Sequence, residues 1–233
     1  MIVRTVNFDQ IVNIQDPEQF IHIPVQEYDQ DVFERMNRLP CTLGDLGIDA
    51  STGPVVDFRL QEYLRDSPEP HTVPLIYPAH CKNGFVIWPN VGGKKPNAIL
   101  DAEGIQKWLY PNGYYVIMRR LSSKEERRRV VAAVHDPLNV LGEKIGFENH
   151  VNIIHKNRQS LSSELARGLA VYLNSTFYDL CFRQFNGHTQ VNVKDLYNLR
   201  YPNTETLETL GRRVTGYVFP SQSEIDAWIE ELV

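Results

Sequence analysis

Strand-forming and helix-forming segments are segregated along this chain rather than interleaved, and this limits the fold more than any other feature. Residues 73–77, 85–88, 113–121, 129–135 and 146–155 are runs of β-branched and aromatic residues, which suit a pleated sheet surface. From residue 160 onward the apolar residues Leu161, Leu165, Leu169, Tyr172, Leu173 and Phe177 recur at helical spacing. Strands alternating with helices would predict a parallel sheet with crossovers, whereas strands followed by helices predict an α+β fold. We expect an α+β chain with a β-rich middle and helices following it.

Local signals refine this outline. Residues 26–39 place Tyr28, Val32, Phe33, Met36 and Leu39 at near-helical spacing, and Pro40 closes the helix. Residues 2–23 read as short extended pieces. Residues 51–54 read as a turn followed by a strand over 55–58. Three prolines within 67–74 mark an exposed loop. Residues 113–121 and 129–135 form a predicted hairpin with an arginine-rich link, 146–155 a further strand, and 101–109 a short helix. Helices are expected over 160–182, 194–199 and 224–232, with Ser160 or Ser162 able to cap the first. Asn186-Gly187 reads as a turn. We divide the chain into an acidic N-terminal linking or packing segment (1–70), a core domain (71–212) and a helical tail (213–233).

A length of 233 residues supports a sizeable core. The longest apolar stretches are far too short to span a bilayer, and no basic-then-apolar start resembles a signal peptide. The three cysteines, Cys41, Cys81 and Cys181, form neither a disulfide framework nor a CxxC pair. A reduced, cytoplasmic, metal-free protein with no membrane partner is expected. The net charge of -5 hides an asymmetry. Residues 1–79 carry 5 Lys/Arg against 13 Asp/Glu, residues 80–213 carry 19 against 12, and residues 214–233 carry 0 against 4. A basic middle with acidic flanks suggests a surface that meets a polyanion.

The densest charge run is Lys124-Glu125-Glu126-Arg127-Arg128-Arg129. On a link between two strands its cations can reach phosphates, which supply affinity and register without reading sequence. The competing reading is a solvated hairpin tip with local Glu–Arg pairing. Arg119 and Arg120 end the preceding strand, and Lys94 and Lys95 lie in a Gly-Gly loop. Residues 186–192 (Asn-Gly-His-Thr-Gln-Val-Asn) combine amide, hydroxyl and imidazole groups. Asn and Gln bond bidentately to adenine in the major groove, and Thr contacts the thymine methyl. The same residues can instead cap the next helix. His150 and His155 have no Cys or carboxylate cluster to complete a metal site. No Gly-x-Ser-x-Gly elbow and no phosphate loop is present, so no catalytic residue is assigned.

The stretch from Gly168 to Asp179, followed by Phe182-Arg-Gln-Phe-Asn-Gly-His-Thr-Gln-Val-Asn192, Asp195-Leu196, Leu199 and Tyr201-Pro202, resembles a known family. It is similar to the C-terminal target-recognition region of adenine-N6 DNA methyltransferases from type II restriction–modification systems. Residues 51–59, 113–133 and 146–150 fit the same family, and the resemblance spans roughly residues 20–212. It implies a DNA sequence-recognition portion with a target-recognition-domain-like fold. Its catalytic domain, on the same polypeptide, would bind S-adenosylmethionine and hold the flipped adenine with an Asn-Pro-Pro-Tyr-type motif. Neither that motif nor the cofactor's glycine-rich turn occurs here, so the chain is expected to be part of a longer enzyme and inactive alone. The implied partner is double-stranded DNA. The candidate base readers are His188, Thr189, Gln190 and Asn192. The candidate phosphate contacts are Lys94, Lys95, Arg119, Arg120, Lys124, Arg127 and Arg183. A separately encoded specificity subunit is the next reading, expected to carry two recognition halves joined by long helices. A protein-interaction module without a DNA role is the third.

Overall fold

The structure is a computed structural model that describes residues 27–186 and 188–233; the extended pieces expected over 2–23 lie outside the described residues. The first helix, α1 (Glu27–Arg38), buries Val32 and Met36 and stops before Pro40. Eleven short strands follow: β1 (Asp49–Thr52), β2 (Leu64–Arg65), β3 (Thr72–Ile76), β4 (Cys81–Lys82), β5 (Phe85–Val86), β6 (Ala98–Leu100), β7 (Leu109–Pro111), β8 (Tyr115–Arg119), β9 (Ala132–His135), β10 (Lys144–Phe147) and β11 (Val151–His155). Five helices complete the described chain: α2 (Ser163–Leu173), α3 (Thr176–Phe185), α4 (Val193–Tyr197), α5 (Thr204–Arg213) and α6 (Gln222–Glu230). The segregation of strands and helices read from the sequence is the observed one, and the fold is α+β.

The strands form two sheets, ordered β1-β11-β8-β9-β5-β4 and β2-β6-β3-β10-β7. Pairing is antiparallel except for β5 with β9 and β3 with β10. Successive strand residues face opposite sides. In β8, Val116 and Met118 join the helices' core while Tyr115 and Ile117 join the core between the sheets. The six-stranded sheet is therefore covered on both faces. That is why β8 reads as a continuous apolar run and not as an alternation. The five-stranded sheet sends Ile76, Ile145 and Phe147 to the shared layer and Val73, Leu75 and Ile99 to an outer cluster with Ile105.

Several sequence expectations are corrected. The single strand expected over 146–155 is two strands in different sheets, β10 and β11, divided at Glu148. The buried Glu148 carboxylate accepts the backbone N–H of His150 at 2.9 Å and forces the chain across. Gly53 backs onto this crossing, where a Cβ would overlap the Glu148 carbonyl. Residues 55–58 make one bridge, Val55 to Glu148, and then a 3-10 turn instead of a strand. The expected 160–182 helix is broken at Asn174-Ser175 into α2 and α3. There the Ser175 hydroxyl accepts the Tyr178 N–H at 3.0 Å and starts a new helix. The helix α5 was not anticipated. It crosses α2 so closely that a Cβ on Gly168 would overlap the Leu207 carbonyl, and one on Gly211 the Glu164 carbonyl.

The expected boundaries at 70 and 213 mark no structural break. Residues before 70 supply α1 to the main core, β1 as an edge of one sheet and β2 as an edge of the other. Residues after 213 bury Ile225 and Ile229 of α6 in the main core. The described part of the acidic segment, residues 27–70, is integral because its apolar residues Val32, Met36, Leu39 and Leu43 pack into the main core.

Candidate nucleic-acid interface

The hairpin of β8 and β9 has Tyr115 opposite His135 and Met118 opposite Ala132. Its link, residues 120–131, carries the arginine-rich run. Two sets of contacts hold the link. Asp179 on α3 is buried, and its Oδ1 accepts the backbone N–H groups of Arg129 at 2.7 Å and Val130 at 3.2 Å. Its Oδ2 accepts Arg183 Nε at 2.7 Å, and Arg183 in turn donates to the carbonyls of Lys124 at 3.0 Å and Glu126 at 2.7 Å. One carboxylate–guanidinium pair, spaced i to i+4 on a helix, thus ties down both halves of the link.

The second set runs through Arg129, which is 1% exposed. Its guanidinium donates to Asn186 Oδ1 at 3.0 Å and to the carbonyl of His188, and it stacks on the Phe182 ring at 5.6 Å. Burial, with Arg183 nearby, pulls its pKa below the ordinary arginine value, and it remains a cation. Asn186 is buried, and its amide donates to the Gln190 carbonyl at 2.8 Å and to the Asp195 carboxylate. The segment after Asn186 is therefore drawn onto the hairpin link. Ser122 N–H donates to the Thr189 carbonyl at 3.0 Å, Val191 N–H donates to the Arg120 carbonyl at 2.8 Å, and Leu121 bridges Gln190. Residues 188–191 become a short antiparallel ribbon on residues 120–122.

This places three of the four candidate base readers, His188, Thr189 and Gln190, on one ribbon with Arg120, and the link that continues from it carries Lys124 and Arg127. The His188 and Thr189 side chains are exposed. Gln190 is half-buried, and its Oε1 accepts Arg120 Nη2 at 3.3 Å. Asn192 departs from the group. It sits at the start of α4 with its N–H donated to Asp195 at 3.0 Å, which is the capping alternative read from the sequence. The expected Asn186-Gly187 turn includes Gly187, which lies outside the described residues.

The cations divide similarly. Lys124 and Arg127 are exposed on the link, and Lys94 is exposed on the Gly92-Gly93 loop. Lys95 pairs with Asp57 at 2.9 Å, and Arg119 with Glu126 at 2.8 Å. Arg120 is spent on Gln190 and on the Asn149 carbonyl at 3.2 Å. Arg183 commits its guanidinium to Asp179 and the link. It therefore has a positioning role on the link, with its side chain still 31% exposed. Arg129 lies in the arginine-rich run, Asn186 in the polar 186–192 stretch and Asp179 at the end of the family-like stretch, but none of the three was among the candidate contacts. The Asp179–Arg183 spacing and the buried-helix context of Asp179 were the only local signals of their role.

One arrangement resembles hydrolytic machinery. Ser51 Oγ lies 2.9 Å from His155 Nε2, and Asp49 Oδ2 lies 3.9 Å from His155 Nδ1. The backbone N–H of Arg158 donates to that Nδ1 at 3.1 Å, so the ring carries its proton on Nε2 and donates to the serine. Asp49 instead accepts the Asn157 N–H at 3.0 Å. This tautomer cannot take a proton from Ser51, and the group is structural. Among the described residues no cluster of three His, Cys, Asp or Glu gathers for a metal, and no helix is long and apolar enough to cross a membrane. The paired glycines, Gly92 and Gly93, lie in an exposed loop that leads into β6 and not into a helix.

Comparison with known proteins agrees with this architecture. The chain is 46% identical over 227 residues to the type II methyltransferase M.BsuBI of Bacillus subtilis, covering 97% of this chain and 45% of that protein. It is 45% identical over 226 residues to the type II methyltransferase M.PstI of Providencia stuartii, covering 97% and 44%. The chain thus spans slightly under half the length of the curated relatives it matches. Its fold is shared with part of the type IIG restriction endonuclease BpuSI, with a TM-score of 0.51 and 14% identity over 89% of this chain and 31% of that enzyme. No known family profile matches the sequence. The chain is accordingly homologous to part of these two type II methyltransferases.

Proposed function

We propose that this chain is the DNA sequence-recognition portion of a site-specific, S-adenosylmethionine-dependent adenine-N6 DNA methyltransferase of a restriction–modification system. The observation that carries this reading is the ribbon of residues 188–191. It is clamped to a cationic hairpin link by Arg129 and Asn186, it displays His188 and Thr189 at the surface, and the link itself exposes Lys124 and Arg127. An interface that reads DNA needs polar side chains held in register for base edges and cations nearby for phosphates. The homology over 97% of the chain to type II methyltransferases supplies the enzymatic context. The cofactor and the reacting adenine belong to the portion of such enzymes that this chain does not span.

The test is selection of bound duplexes from a randomised pool by the 233-residue chain, followed by affinity measurements at several salt concentrations. A shared sequence motif among the selected duplexes, with binding that weakens steeply with salt, is the expected result. Gln190→Ala should lower discrimination between selected and scrambled duplexes more than it lowers nonspecific affinity. Equal losses on both would remove Gln190 from base reading. Selection without any motif would favour a protein-interaction module.

A further inference from the structure

The parallel neighbours β3 and β10 end side by side, and the chain leaving them lines a cavity of about 350 Å³. Tyr77 follows β3, Glu148 and His150 follow β10, Arg119 ends β8, and Lys95 and Leu121 complete the lining. Leu121 is the residue that bridges Gln190, so the cavity opens next to the ribbon described above. Its size lies within the range of about 300–1,000 Å³ typical of small-molecule sites.

Its chemistry is unusual for an incidental surface dent. Tyr77 is 1% exposed, yet its hydroxyl has no hydrogen-bond partner among the described residues, and neither has the buried Nε of Arg119. A buried hydroxyl without a partner is costly and calls for an explanation. The Glu148 side chain is fully buried beside it, and its oxygens accept His150 N–H at 2.9 Å and His150 Nδ1 at 2.6 Å. Each carboxylate oxygen retains a further acceptor position. Lys95 lies over the Tyr77 ring at 5.2 Å from its centre. Burial, reinforced by the Asp57 and Glu148 carboxylates, raises the Tyr77 pKa, so the hydroxyl stays a donor.

We propose that this cleft holds a single unpaired nucleotide whose base carries an exocyclic amino group, with the base facing Glu148 and Tyr77 and the phosphate at Lys95 and Arg119. A carboxylate accepts from an amino group, and a hydroxyl donates to the adjacent ring nitrogen. Cytosine and adenine present this donor–acceptor edge, and thymine presents the reverse. The proposal extends the proposed DNA interface by one subsite and rests on that reading for placing nucleic acid on this face.

The test titrates the 233-residue chain with dCMP, dAMP and TMP by calorimetry, alongside duplex binding. We expect dCMP and dAMP to bind at least tenfold more tightly than TMP. Tyr77→Phe should melt at the same or a higher temperature, because it removes only an unpartnered hydroxyl, and should weaken dCMP binding at least fivefold. Lys95→Gln, on the exposed rim, should weaken dCMP several-fold and leave deoxycytidine unchanged. No nucleotide binding, equal binding of TMP, or unchanged affinities in both variants would overturn the proposal. Duplex binding without nucleotide binding refutes only the cleft, whereas nucleotide binding without duplex binding refutes the recognition reading.

Discussion

Replacing Arg129 by methionine tests whether a buried guanidinium, and not the hairpin backbone, holds the 188–191 ribbon in place. Methionine keeps much of the side chain's bulk against Phe182 and leaves the Asp179 bonds to the backbone N–H groups of residues 129 and 130 intact. What disappears is donation to Asn186 Oδ1 at 3.0 Å and to the His188 carbonyl, with a third, long donation to the Asn186 carbonyl at 3.4 Å that adds little to these two. Hydrogen bonds from a charged donor contribute about 1.5–3 kcal/mol each, which gives a gross loss of about 3–6 kcal/mol. Part of this returns, because a desolvated cation is removed and the His188 carbonyl can reach water. Asn186 Oδ1 also keeps the His188 N–H at 3.0 Å. The net cost is about 2–4 kcal/mol, below the figure for breaking a buried ion pair. In a chain of this size that is a fall of about 4–16 °C in Tm. Hydrogen exchange reads the local effect. The Val191 and Ser122 amides, bonded across the ribbon, should exchange about 30- to 700-fold faster at about 1.4 kcal/mol per decade. A fall in Tm below about 2 °C with unchanged exchange at both amides would refute the argument that Arg129 organises this segment.

Three further outcomes are expected. Gly168→Ala should destabilise the fold by about 1–3 kcal/mol or more, read by urea denaturation, because α2 and α5 must move apart to admit a Cβ against the Leu207 carbonyl. The double variant Lys124→Ala and Arg127→Ala should keep its Tm and bind all duplexes more weakly. Its slope of log affinity against log salt should become shallower by about 1.8, the value for two lost phosphate contacts. His135 has its pKa pushed down to about 4 by burial, with its Nδ1–H donated to the Gly113 carbonyl at 2.7 Å. The unfolded chain takes up this proton near pH 6.5 and the folded chain only near 4. Stability should therefore decline as pH falls through that window, by on the order of 3 kcal/mol in total, and level off below it. His135→Gln should flatten this dependence in denaturation measured between pH 7 and pH 4.

The division between what the sequence determined and what only the tertiary structure decided follows the range of the interactions. Helix α1, the β8–β9 hairpin and the tail helix α6 were legible because apolar periodicity and capping are set within a few residues. The split of residues 146–155 into strands of two sheets was not legible. The cause is a buried carboxylate and a backbone crossing at Gly53, nearly a hundred residues away in the chain. The break between α2 and α3 carries a local signal, the Ser175 cap on Tyr178, whereas α5 escaped because its close contact with α2 at Gly168 and Gly211 has no local signature. The candidate interface divides in the same way. Residue types suited to base edges and phosphates could be read directly from 186–192 and from the arginine-rich run. Which of them face outward depended on partners such as Asp179 and Arg129, 50 residues apart. Arg183 and Asn192 were placed among the DNA contacts by their chemistry, and the fold uses them to hold the link and to begin a helix. A side chain's chemistry is fixed by its type, but its availability is fixed by what folding brings within hydrogen-bonding distance, and only the assembled structure determines that.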